Sequence, residues 1–248
     1  MPPLCRYGLT LHTPRALSLT NPPQKCWRAN LQTSLKAANI HNFDFVGTQT
    51  SNCAGPGSID QNHEGHPGSL ATDYAKNDNV TVWLNAASPD VVILLLGTND
   101  VLLGKKPVAD VLAAYDTILA QIRKKNARMQ IVFSTLLPLD PARWPAAAVA
   151  GVRELNTAIA SYAPSKSTST SPVYFVDNVA GFNVASDTYD GEHPNDSGNA
   201  KMAAKFLKPT KDAIQAVSRL RRVVRTPRVT GAARRAATMA ATTVNLAP

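Results

Sequence analysis

The stretch "YDGEHPNDSGNAKMAAKFL", Tyr189 to Leu207, sets Asp190 three residues before His193. A carboxylate that close can fix the imidazole tautomer and stabilise the imidazolium. Such a pair is a general base, and it needs a nucleophile supplied from elsewhere in the chain. Two further polar clusters could complete a site for acyl transfer. "GTND" at Gly97–Asp100 contains Asn99, whose side-chain NH2 can donate to a developing oxyanion. "NHEGHPGS" at Asn62–Ser69 contains Gly68, whose backbone N–H can be approached without meeting a Cβ. His63 and His66 near Glu64 lack a third well-spaced ligand, so they are expected to hold the loop by hydrogen bonds, not a metal. No cofactor is expected. Taken singly, each cluster has a plainer reading: an Asx turn for "GTND", a helix-start acid beside a surface histidine for D-x-x-H. Their conjunction is what singles them out.

The elements that must position these residues follow from apolar patterning. "DVVILLLG" at Asp90–Gly97 is apolar on both faces, as a central parallel strand requires. "FDFVG" at Phe43–Gly47, "MQIVFSTLLP" at Met129–Pro138 and "SPVYFVD" at Ser171–Asp177 repeat the pattern. "GLTLH" is a poor first strand, cut short by Thr13-Pro14. Helices are expected from Trp27, from Pro107, over "AVAGVRELNTAIASYA" and from Asn195 to Val217. In the second of these, Val108, Val111, Leu112, Tyr115, Ile118, Leu119 and Ile122 recur at helical spacing. Alternating strands and helices predict a doubly wound α/β sandwich around a parallel sheet. In an open parallel sheet, function gathers at the carboxyl ends of the strands. All three polar clusters fall there.

The chain of 248 residues suits one α/β domain, expected over residues 1–217, with a basic arm over 218–248. That arm holds seven arginines and no acid, so of the net charge of +9 only about +2 belongs to the domain. It could meet nucleic acid, but without an aromatic residue to stack on bases a disordered tail is the preferred reading. There is no apolar run of membrane-spanning length, nor a signal-like apolar core in "MPPLCRYGLTLHTPRALSLT". This start implies either a protein kept inside the cell or a natural start that lies elsewhere. Of three cysteines, Cys26 and Cys53 are the expected pair, closing a loop worth about 3 kcal/mol in chain entropy. Two buried thiols are the alternative.

"HEGHPG", "ILLLGTND" and "DGEHPNDSGNAKMA" together resemble the SGNH (GDSL-type) hydrolases, most of all carbohydrate esterase family 3, which contains acetyl xylan esterases. "CWRANL" and "FDFVGT" extend the likeness over roughly Ser18 to Val217. The resemblance implies a three-layer α/β/α fold, metal-independent hydrolysis of short esters on carbohydrate such as acetylated xylan, a monomer, and an extracellular location. It carries the four family positions to Ser18, Gly68, Asn99 and His193, with Asp190 as the partner of the histidine. The oxyanion hole would then be the Ser18 and Gly68 backbone N–H groups and the Asn99 side chain.

The first block departs from the family pattern. Ala16 and Leu17 stand where the family has Gly and Asp, while Ser18, Leu19 and Thr20 fit the rest. Ser18 is therefore the expected nucleophile, with Ser58 and Ser69 as spares. Trp27, Trp83 and Trp144 could stack on sugar rings, although tryptophan beside an apolar helix face is more often core. Two rival functions remain in view: a lipid esterase or thioesterase of the same fold, and a carbohydrate-binding relative that has lost its nucleophile block.

Overall fold

Two strands carry the centre of the molecule, β7 (Val91–Leu94) and β8 (Gln130–Ser134), and every residue in both is buried. Alternate side chains of a strand point to opposite faces, so both faces of this sheet must be covered. The computed structural model describes residues 5–11, 24–50, 53–55 and 58–225, with side chains for 26–50, 53–55 and 58–222. Three further strands complete the sheet: β1 (Cys5–Leu11), β3 (Phe43–Phe45) and β9 (Val173–Val176). The order is β3-β1-β7-β8-β9, and every pairing is parallel. The poor first strand thus occupies an interior place in the sheet.

Val92, Leu94, Ile131 and Phe133 face one helical layer. It consists of α2 (Ala71–Lys76), α3 (Asn79–Ala87), α5 (Val108–Lys125) and α6 (Ala146–Ser165). Val91, Ile93, Val132 and Val176 face the other, built from α1 (Trp27–Ala37) and α8 (Asp196–Arg225). The architecture is the expected three-layer α/β/α sandwich. In α5, Val111, Tyr115, Ile118, Leu119 and Ile122 are buried, as their spacing requires. By its packing the chain divides into two units, Met1–Val217 and Ser218–Pro248.

Smaller elements decorate the edge where the strands end. Two-residue strands β2 (Gln24–Lys25) and β5 (Cys53–Ala54) pair in parallel, and β4 (Gln49–Thr50) and β6 (Asn62–His63) pair antiparallel. Short helices α4 (Thr98–Leu102) and α7 (Val184–Asp187) follow β7 and β9. The Cys26–Cys53 disulfide is formed, with Cα atoms 5.6 Å apart. Among the described residues, no helix is long and apolar enough to cross a membrane.

Candidate active site

The turn between α7 and α8 is closed by its own side chains. Asp190 Oδ1 accepts the backbone N–H groups of Glu192 at 3.1 Å and His193 at 2.7 Å. Its Oδ2 lies 2.8 Å from His193 Nδ1. One carboxylate therefore folds the turn and grips the ring. A proton on Nδ1 is directed to Asp190, which leaves Nε2 as the basic nitrogen. Burial pushes the Asp190 carboxyl up, but the His193 N–H, the His193 ring and the Glu192 N–H outweigh it and hold the group below its usual range. Tyr189 stacks on the His193 ring, with centroids 6.0 Å apart.

The turn is anchored from several sides. Gly191 has φ +89°, a conformation that favours glycine, and a Cβ there would lie 2.8 Å from Arg143 Cδ. Its carbonyl accepts the Asp140 N–H at 2.9 Å, so the segment after β8 braces the segment after β9. Asn195 caps α8 by accepting the Gly198 N–H at 3.2 Å. Asn199 accepts the Trp27 N–H at 2.9 Å and donates to the Pro194 carbonyl at 3.1 Å. Through Asn199, the residue next to the disulfide is tied to the residue next to His193.

The donors expected to face an oxyanion, Asn99 and the Gly68 N–H, are set by a second network. After β7, Gly97 turns the chain with φ +127°, and a Cβ there would lie 2.5 Å from the Tyr115 hydroxyl. That hydroxyl donates to the Leu96 carbonyl at 2.6 Å. α4 then presents Asn99 and Asp100, both buried. Asn99 Nδ2 donates to the Ser69 carbonyl at 3.2 Å. An amide NH2 has two hydrogens, so one remains for a substrate oxygen. Gly68 has φ +74°, and a Cβ there would meet nothing within 4 Å. Its backbone conformation, not crowding, calls for glycine.

Asp100 was not singled out in the sequence, yet it joins the two donor segments. Its Oδ2 accepts the Ala71 N–H at 2.7 Å, and its Oδ1 accepts the Thr72 N–H at 3.0 Å and the Thr72 hydroxyl at 2.8 Å. A buried carboxylate thus caps α2 and ties the Gly68 loop to the Asn99 turn. Burial raises its carboxyl above the usual range, against these donors. No local signal reveals this role, because the partners lie 28 and 29 residues away.

His63, Glu64 and His66 brace the same loop. Glu64 is wholly buried and accepts the Thr48 N–H at 2.7 Å and the Thr48 hydroxyl at 2.6 Å. Its Oε1 also lies 2.8 Å from His66 Nε2. The His66 ring stacks on Trp83, centroids 4.4 Å apart. His63 Nδ1 accepts the Gly65 N–H at 2.9 Å. Burial first, then Arg28 and His66, push His63 down to about 3, so it is neutral. Of the spare hydroxyls, Ser69 Oγ donates to the His66 carbonyl at 2.9 Å, and Ser58 is exposed. Trp27 is buried and stacked on Phe206 at 4.8 Å, so it is a core residue. Trp144 packs against the core beside α6. Ser18, with Ala16 and Leu17, lies outside the described residues.

Known proteins share this fold. An acetyl esterase crystallised with acetate ion, as a variant with serine replaced by alanine, superposes with a TM-score of 0.75 and 29% identity. The superposition covers 86% of this chain and 100% of that one. A carbohydrate esterase family 3 protein from Talaromyces cellulolyticus gives a TM-score of 0.75 and 29% identity over 86% of this chain and 99% of its own. A family 3 carbohydrate esterase from Clostridium thermocellum gives 0.67 and 27% over 86% and 98%. A protein of Acetivibrio thermocellus, provisionally named endoglucanase X, is 31% identical over 142 residues, 56% of this chain. This chain spans only 58% of that relative's length. Residues 18–201 match the GDSL-like Lipase/Acylhydrolase family, a span that begins at the serine expected to attack and contains Gly68, Asn99, Asp190 and His193. The chain belongs to that family.

Proposed function

We propose that this protein is a carboxylic ester hydrolase that removes acetyl groups from carbohydrate, with Ser18 as nucleophile and His193 and Asp190 as its base and orienting acid. The observation that carries the reading is the 2.8 Å contact of Asp190 with His193 Nδ1, which leaves Nε2 to accept a hydroxyl proton. Ser18 Oγ attacks the acyl carbon while its proton passes to Nε2. The oxyanion is held by the N–H groups of Ser18 and Gly68 and by the free Asn99 amide hydrogen. Collapse expels the sugar alcohol, which takes the proton back from Nε2. Water, deprotonated by the same nitrogen, then releases acetate and restores the serine. Acetyl and carbohydrate specificity draw support from the acetyl esterase and family 3 esterases to which the chain is similar.

The test is a series of p-nitrophenyl esters, followed by acetate release from acetylated xylan. Specificity that falls from C2 to C8, with acetate released from xylan, supports the proposal. A rise toward C8 points to a lipid ester instead.

A further inference from the structure

We infer that Glu192 is a second carboxylate serving the same edge of the His193 ring as Asp190, and that it stabilises the imidazolium formed during turnover. This rests on the reading of His193 as the base. Glu192 Oε2 lies 3.9 Å from His193 Nδ1, the nitrogen that Asp190 already contacts. That distance is too long for a hydrogen bond and short enough for a strong Coulombic attraction. The Glu192 side chain is only 17% exposed, against 37% for Asp190, so its charge is the less screened of the two. Both Asp190 oxygens are engaged, one by two backbone N–H groups and one by the ring. Glu192 has a different disposition: among the described residues its one ion-pairing neighbour is that ring.

The surrounding charges leave this role open to Glu192. From the segment after β8, Asp140 and Arg143 pack against Gly191, but they pair with each other at 3.5 Å. Tyr189 covers one face of the ring. Burial raises the Glu192 carboxyl above its usual range, Asp190 adds to this, and His193 opposes it. Such mutual influence is expected of groups that titrate as a set. The geometry also gives the turn a reserve. Without Asp190, a movement of about 1 Å would bring Glu192 within hydrogen-bond reach of Nδ1.

The test uses the isosteric Glu192→Gln variant of the full chain with p-nitrophenyl acetate, in the wild-type and Asp190→Ala backgrounds. The free enzyme is active with its base neutral. A carboxylate that favours the imidazolium keeps the acid limb of kcat/KM at higher pH, and removing its charge moves the limb down. The expected shift is about half a unit. In the Asp190→Ala background, Glu192→Gln should cost a further factor of about ten, more than it costs alone. An unmoved limb, with the same cost in both backgrounds, overturns the inference. His193→Ala separates the two claims: full turnover in that variant overturns both. Its loss, together with an unmoved limb in Glu192→Gln, overturns only the role of Glu192.

Discussion

Asn99 makes two different demands on one amide. One hydrogen is fixed to the Ser69 carbonyl at 3.2 Å, which sets the plane of the group. In the proposed reaction the other meets an oxygen that becomes charged in the transition state. A donor aimed at developing charge is worth more there than to bound substrate. Asn99→Ala should therefore lower kcat by roughly a hundredfold or more with little change in KM, as steady-state kinetics on p-nitrophenyl acetate would read. An unchanged kcat removes Asn99 from the oxyanion hole. At this scale the Asp190–His193 contact was legible, because a carboxylate three residues before an imidazole can close one turn, and so was the place of Asn99 and Gly68 after apolar runs. The approach of Glu192 to the ring was not, because it is a matter of side-chain direction within a turn.

Among the elements, α2 depends on a residue outside itself. Its first backbone donors, from Ala71 and Thr72, end on Asp100 of α4. Truncating Asp100 leaves buried donors without partners. Asp100→Ala should lower stability by about 2 kcal/mol in denaturant unfolding and reduce kcat as well, since the Gly68 loop loses its tie to Asn99. Normal kcat in a destabilised variant would make Asp100 a capping residue alone. The Cys26–Cys53 link, 27 residues apart, closes the loop beside α1. Replacing both cysteines by serine should cost about 3 kcal/mol, and equal stability with and without reductant would contradict that. The strands β7 and β8 and the helix α5 were legible because double-sided burial and a 3.6-residue period leave strong signals. The helices α2 and α3 were missed. They are six and nine residues long, and α3 is bounded by left-handed Asp78 and Ser88 at φ 54° and 47°. Neither residue type announces that conformation. The weak strand β1 is held by its neighbours β3 and β7, not by its own pattern.

For the whole molecule, acid should act through a few named groups. His63 is held neutral down to about 3, whereas the unfolded chain takes up its proton near 6.5. Between those values the unfolded state binds more protons, so stability rises with pH and is lost as pH falls from 6.5. Asp187 is buried and Asp190 half-exposed, yet their hydrogen-bond donors hold both below 3.8; Lys166 holds Asp116 below it as well. Their contribution is present above 3.8 and is lost as pH falls below it. Unfolding free energy measured from pH 7 to pH 4 should therefore decline, and His63→Gln should flatten the decline. An identical slope in that variant contradicts the assignment. The layers themselves were legible from the alternation of strands and helices. The ties across them, from Trp27 through Asn199 to Pro194, were not, since they join residues 172 positions apart.

The central claim is that a hydroxyl from the start of the chain and an imidazole from near its end act on one acyl carbon. A fluorophosphonate probe reacts with a serine only where a base activates it. Peptide mapping of the labelled protein should place the adduct on Ser18, and the adduct should vanish in His193→Ala. An adduct on another serine, or labelling that survives loss of the imidazole, would contradict the account.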